Sequence, residues 1–262
     1  IPSRMKGNRL DVALSEMLPN YSRSKITSWI KSGDALINDK IFKPKDKVIG
    51  SQIVKLSLSK KLNNDWLAEN IPLNIVFEDE DIIVINKACG LVTHPGAGNW
   101  SGTLANALLY YDPNLSILDR VGIVHRLDKN TSGLMVISRN ERSQKYLVEQ
   151  LQSHSVAREY SAIVYGHMIA GGIVDEPIGR DPKDRVKQAV SSSGKEAITH
   201  YRVIDRFKSH THVKAILETG RTHQIRVHLS HIGHPLIGDP MYGGRVRFPK
   251  KASEILKESL LG

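Results

Sequence analysis

"VGIVHRLDKNTSGLMVISRN", residues 121 to 140, sets one acid inside a short polar loop with apolar residues on both sides. Asp128 lies between Arg126 and Lys129, and residues 122–124 and 133–137 read as strand before and after it. An ionised carboxylate in a largely apolar setting needs a cationic partner. Arg126 and Lys129 are the local supply. Arg221, in "ETGRTHQIRVHL" (218–229), is a distant one, also at a strand-to-helix junction. If Arg221 meets Asp128, the pair keeps the acid ionised at neutral pH. A structural salt bridge is the plain alternative. Two polar junctions at strand ends favour a functional site instead.

Outward from this loop the pattern is α+β. On the N-terminal side, "LNIVFEDEDIIVINK" (73–87) predicts a hairpin turning at 79–81, and a helix follows at 103–111 with Leu104, Ala107, Leu108 and Tyr111 on one side. On the C-terminal side, 141–152 reads as helix, and 158–166, 196–207 and 211–218 read as strands. A helix over 221–233 stops at Gly233. Strands outnumber helices and do not alternate with them, which excludes a doubly wound sheet.

Before residue 73 the texture differs. Asn8 is placed to cap a helix with Leu10, Leu14, Met17 and Leu18 on one stripe. Ser22 is placed to cap a second, with Ile26, Trp29 and Ile30 inward and Gly33 as its stop. Short strands at 35–38 and 53–58 complete a compact unit over 1–59. Residues 60–72 form a polar linker, and 73–262 form the larger domain. Arg9, Arg23, Lys25 and Lys31 fall on the polar face of the small unit.

Lys and Arg outnumber Asp and Glu by 37 to 27, a formal charge of +10, which points to a polyanionic partner, of which nucleic acid is the commonest. Cys89 is the only cysteine, so an internal disulfide and a cysteine-based zinc site are excluded. No apolar run approaches about 18 residues, and no signal segment opens the sequence, so a cytoplasmic protein without a membrane partner is expected. The chain starts on Ile1 and is expected to lack its first residues.

"HRLDKNTSG" (125–133), followed by "ETGRTHQIRVHLSHIGHPLIGDPMYGG" (218–244), resembles the RluA/RluD family of pseudouridine synthases. "EDEDIIVINKACGLVTHPGAGN" (78–99) and "AREYSAIVYGHM" (157–168) extend the resemblance over nearly the whole chain. It implies a catalytic domain on a mixed, mainly antiparallel β-sheet with flanking helices. Residues 1–59 resemble the small RNA-binding module of ribosomal small-subunit protein four. The implied reaction is isomerisation of uridine in large-subunit (23S) ribosomal RNA. The bond from ribose to N1 of uracil breaks, the base turns, and C5 joins the same carbon, with no cofactor and no metal.

The resemblance also implies roles. Asp128 matches the catalytic aspartate, acting as nucleophile at the sugar or as base on a sugar proton, a logic shared with glycoside hydrolysis. Arg221 matches the basic residue that pairs with it. Tyr160 matches the tyrosine that lies against the base. Arg126 matches an arginine that takes the place of the flipped nucleotide, with a phosphate contact or a loop brace as the alternative. Ile225 is assigned to the apolar side of the uracil pocket, with a core role as the alternative. Arg9, Arg23, Lys25 and Lys31 are assigned to RNA phosphates, with a solvated charge face as the alternative. The expected partner is large-subunit ribosomal RNA or the assembling subunit, bound by a monomer.

Two features depart from the family pattern. Ala88 follows Lys87 where the family often has proline, and the chain ends at Gly262, so the C-terminal end of the catalytic domain is expected to be missing. Two rival functions stand beside this one. His223, His228, His231 and His234, with Asp239 nearby, raise a metal-dependent hydrolase, although no HExxH pattern is present. The other rival is a non-catalytic RNA-binding protein on the same fold.

Overall fold

A computed structural model of the chain describes residues 1–19, 21, 23–57, 66–96, 98–184, 186–244 and 253–255. By compactness the chain divides into two units, Ile1–Gln150 and Leu151–Gly262. The first unit takes in the N-terminal helices and the first sheets, and the second the sheet and helix that follow.

In the first unit a 3-10 turn, Ser3–Met5, leads into α1 (Leu10–Met17) and α2 (Arg23–Ser32), then β1 (Ala35–Ile37) and β2 (Val54–Leu56), which pair antiparallel. Met5, Leu10, Leu14, Ile26, Ile30, Ile37 and Val48 form a core, with Trp29, Val54 and Leu56 packed against it. Met17, expected on the inward stripe, is exposed at 36%. The capping position of α1 is Arg9 rather than Asn8, and no side chain caps it. The Leu10 and Asp11 amides donate instead to the carbonyls of Asp46 and Pro44. Gly33 ends α2 with φ +80°. Ser22, expected as the cap of α2, lies outside the described residues, as does Leu58 at the end of the second strand.

β3 (Ile75–Glu78), β4 (Ile82–Lys87) and β5 (Gly133–Ser138) make an antiparallel sheet in the order β3-β4-β5. The hairpin turns where expected: Asp79 Oδ1 accepts from the Asp81 and Ile82 amides at 2.8 Å each. α3 (Leu104–Tyr111) begins with a capping box between Thr103 and Asn106. α4 (Glu141–Gln152) begins with a reciprocal pair, Asn140 Oδ1 accepting from the Ser143 amide and Ser143 Oγ accepting from the Asn140 amide.

The strand expected at 122–124 is not there. Asp119–Gly122 is a 3-10 turn, and Ile123 makes only a single bridge, to Ile137. Arg120, Val121 and Gly122 all have positive φ, which no strand allows. Gly122 is required: a Cβ there would stand 2.1 Å from the Ser138 carbonyl oxygen.

The second unit holds an antiparallel sheet of β6 (Glu159–Tyr165), β7 (Gly172–Asp175), β10 (Ile198–Arg206) and β11 (His210–Leu217), in the order β6-β11-β10-β7. A hairpin, β8 (Ile178–Arg180) with β9 (Gln188–Val190), lies between β7 and β10 in the chain. β7, β8 and β9 carry no sequence expectation. α5 (Gln224–His231) starts three residues later than expected, after His223 in a left-handed conformation. Gly233, at φ +84°, ends it, and the His234 amide donates back to the Leu229 carbonyl. Ala162, Val164, Met168, Val213 and Leu229 form the core between sheet and helix.

Candidate active site

In the first unit the loop from Ile123 to β5 carries the acid, and its path is fixed at main-chain atoms. Lys87 ends β4 on the same inward face as Ile83 and Ile85. It is only 1% exposed, and its three ammonium hydrogens meet three carbonyls: Ala88 and Leu91 at 2.8 Å and Lys129 at 3.1 Å. The Lys129 carbonyl also accepts from the Gly90 amide at 2.9 Å. On the other side of the acid, Thr93 Oγ1 donates to the Leu127 carbonyl at 2.9 Å. Asp128, half-buried, thus stands between two clamped carbonyls, and its own carbonyl accepts from the Thr131 amide at 3.1 Å. Burial pushes the Lys87 ammonium below its ordinary pKa, while Cys89 and Asp128 act in the opposite sense.

His125 braces the loop. Its Nε2 accepts from the Val136 amide at 3.1 Å, which requires that nitrogen to be unprotonated. Arg126 is exposed. Its charge is felt by His94, which burial, Arg126 and Arg120 together push down to about 4. His94 is therefore neutral at physiological pH, and its ring stands 6.4 Å from that of Trp66.

In the second unit Tyr160 lies on β6 opposite Ala215 of β11 and is half-buried. Arg221 is exposed in the turn after β11; its Nε donates to the Glu196 carbonyl at 2.8 Å and its amide to Gln224 Oε1 at 2.9 Å. Gln224 anchors that turn to the sheet through Thr219 Oγ1, Thr199 Oγ1 and the Ile198 carbonyl. Ile225 is partly buried against the core of the unit.

The cations assigned to RNA separate into three groups. Arg9 and Arg23 converge on Asp11, which is 4% exposed; Arg9 Nε reaches it at 3.0 Å and Arg23 Nη2 at 2.7 Å. The Arg9 hydrogen bond chiefly, with Arg23, holds the Asp11 carboxyl below the usual range despite its burial. Both arginine side chains remain more than half exposed. Lys25 instead pairs with Glu141 at the start of α4, and its ammonium lies 5.4 Å from the Tyr21 ring centre and 5.7 Å from that of Trp29. Lys31 is exposed in the last turn of α2.

The C-terminal histidines do not converge. His223 Nδ1 bonds the Tyr242 hydroxyl, His228 is held between Thr199 Oγ1 and the Glu176 carbonyl, and His234 Nδ1 donates to the Tyr165 carbonyl. Asp239 pairs with Arg226 at 2.7 Å. Among the described residues no group of three or more His, Cys, Asp or Glu is placed to hold a metal ion, and no helix is long and apolar enough to cross a membrane.

Sequence reasoning passed over Lys87 and Arg158. A lysine at the inward position of an alternating apolar strand was the available signal for the first. For the second it was a basic residue two positions before Tyr160, hence on the same strand face.

Residues 81–231 match the family model of RNA pseudouridylate synthase. Proteins named ribosomal large subunit pseudouridine synthase D are similar along the chain. That of Xylella fastidiosa is 49% identical over 100% of this chain and 79% of its own length. That of Escherichia coli K12 is 54% identical over 97% and 78%, and that of Pseudomonas aeruginosa 50% over 99% and 81%. Among solved structures, human RNA pseudouridylate synthase domain containing 1 aligns with a TM-score of 0.55 at 27% identity, over 66% of this chain and 70% of that one. Human RNA pseudouridylate synthase domain containing 4 aligns at 0.52 and 29%, over 69% and 73%. The family match takes in the clamped acid loop, Tyr160 and Arg221 together, and this chain belongs to the RNA pseudouridylate synthase family, an isomerase of uridine in RNA.

Proposed function

We propose that the chain converts uridines of large-subunit ribosomal RNA to pseudouridine, as a monomer in the cytoplasm, with Asp128 as the reacting carboxylate. The observation that carries the chemistry is the acid loop: a carboxylate whose neighbouring carbonyls are clamped by Lys87 and Thr93 is held at a defined place. The substrate is supported by the names of relatives about half identical over nearly the whole chain.

The reaction is balanced within the nucleotide. The C1′–N1 bond breaks, a C1′–C5 bond forms, the C5 hydrogen leaves as a proton, and N1 gains one. No electrons are gained or lost, so no oxidant or reductant enters. Asp128 acts on the sugar, by attack at C1′ or by removal of a sugar proton; both demand an ionised acid beside a sugar that becomes electron-poor. Arg221 is the cation assigned to keep that acid charged. Tyr160 offers a ring face to the turning base, and the exposed Arg126 is suited to fill the space that the flipped nucleotide leaves. Ile225 has an apolar edge to offer the uracil.

Residues 1–59 are proposed as an RNA-binding module with its own core. Arg9 and Arg23, oriented by Asp11 yet more than half exposed, are the side chains proposed to reach phosphate, together with the exposed Lys31 in the last turn of α2. The test is incubation with transcripts of large- and small-subunit ribosomal RNA, followed by chemical mapping of pseudouridine. Modification at a few defined positions of the large-subunit transcript is expected. Modification of the small-subunit transcript alone would overturn the substrate.

A further inference from the structure

Arg158 lies just before β6, two residues from Tyr160, so the alternation of the strand carries it to the side of Tyr160 and of the buried Ala162 and Val164. Its Nη2 donates to the Glu218 carbonyl at 2.6 Å, and its own carbonyl accepts from the Leu217 amide at 3.1 Å. The second bond ties it to the last residue of β11, and the first to the segment that follows and carries Arg221. The guanidinium also fills the space above Gly220: a Cβ at that position would lie 2.6 Å from Nη1. Residue 220 must be glycine for Arg158 to keep its place.

Arg158 acts on its neighbours through charge as well. Burial lowers its pKa, Tyr160 raises it and Arg221 lowers it further, so both side chains lie within electrostatic reach of Arg158. Its Nε is buried, and among the described residues it has no hydrogen-bond partner. A cation that serves only as packing would not keep an unpaired buried donor and a like-charged neighbour.

We infer that Arg158 is a positioning residue for the reaction, fixing the 218–221 turn, and with it Arg221, at a set place relative to Tyr160. The inference rests on the reading of Tyr160 and Arg221 as reaction residues. A planar guanidinium suits the task, because it holds the Glu218 carbonyl through Nη2 and sets Nη1 against Gly220. A lysine ammonium does only the first.

The test uses the full chain and bulk cellular RNA tritiated at C5 of uridine. The single-turnover rate of tritium release and the RNA dissociation constant are measured for wild type, Arg158→Met, Arg158→Lys, Gly220→Ala and the double variant Arg158→Met/Gly220→Ala. Arg158→Met should slow release by roughly 100-fold, the scale of a one-ångström misplacement, with RNA affinity within about twofold. Arg158→Lys should recover part of the rate. Gly220→Ala should be slow for the same reason, and the double variant should be no slower than Arg158→Met, because both changes remove one interaction. An unchanged rate in Arg158→Met, multiplying losses in the double variant, or a loss that only follows RNA affinity or thermal unfolding would overturn the inference. Release confined to RNA other than the large-subunit species would overturn the proposed substrate and leave the Arg158 comparison intact.

Discussion

The acid loop and the N-terminal basic face are both short, polar and dense in charge, and they are held in opposite ways. The loop is fixed at its main chain: Lys87, Gly90 and Thr93 grip the carbonyls of Lys129 and Leu127, and His125 takes the Val136 amide. The basic face is fixed through its side chains. Arg9 and Arg23 meet on Asp11, and Lys25 is spent on Glu141. Charge density in a sequence is thus a poor guide to charge on display. What decides the matter is how much of the cation stays exposed once an acid has taken it: more than half of Arg9 and Arg23, but 24% of Lys25.

The largest effect expected from this contrast is at Lys87. Lys87→Met removes the donor shared by the Ala88, Leu91 and Lys129 carbonyls, leaving only the Gly90 amide on the last, and frees the loop, so activity should fall roughly 100-fold by loss of placement. Stability should fall by about 2–4 kcal/mol. Tritium release and urea unfolding measure the two, and a fully active variant would break the view that the main chain places the acid.

On the basic face, Asp11→Asn should loosen both arginines and cost about 1–3 kcal/mol of stability, read from denaturant melts. Arg9→Gln and Arg23→Gln should each reduce the slope of log affinity against log salt by about 0.7–0.9 for each phosphate no longer neutralised. An unchanged slope would mean that Asp11 holds these arginines for structure alone.

His94 sharpens the electrostatic side of the comparison. Its imidazole should titrate near 4 in an NMR pH series, and Arg126→Gln should move it upward. The sign for stability follows. Above the ordinary histidine pKa of about 6.5 both states are neutral at this position; below it only the unfolded chain takes the proton. Stability is therefore lost as pH falls from about 6.5 toward about 4, and His94→Gln should lack that part of the loss. A value near 6.5 in the folded protein would contradict the burial of His94 beside Arg126.

The smallest effect belongs to Lys25. Because Glu141 holds it, Lys25→Gln should leave the salt slope of RNA binding unchanged and cost less than about 1 kcal/mol. A slope change equal to that of Arg9→Gln would put Lys25 back among the residues that meet phosphate.

Much of the architecture is legible in the sequence, and the exceptions share a cause. The 73–87 hairpin, α3, α4, β6, β10 and β11 have long periodic patterns or explicit caps, and all appear where the pattern places them. β7, β8 and β9 are three or four residues long and interrupted by Gly, Pro and Asp, too short for any period to show. The false strand at 122–124 is apolar, but its backbone is bent by the approach of Gly122 to Ser138, residues 16 positions apart. Asp128 and Arg126 stand out as candidates because a polar loop between apolar runs is conspicuous. Lys87 and Arg158 were not, because lysine and arginine read as surface by default, and their partners are carbonyls, which a sequence does not mark. The pairing of Lys25 spans 116 positions, and only the fold brings Glu141 to it.

The most direct test of the central claim is tritium release from C5-labelled uridine in large-subunit ribosomal RNA by the wild type beside Asp128→Asn. Forming the C1′–C5 bond expels that hydrogen. Release by the wild type, and none by a folded Asp128→Asn variant that still binds the RNA, is the result predicted. Equal release from both would contradict the assignment of Asp128 as the reacting carboxylate.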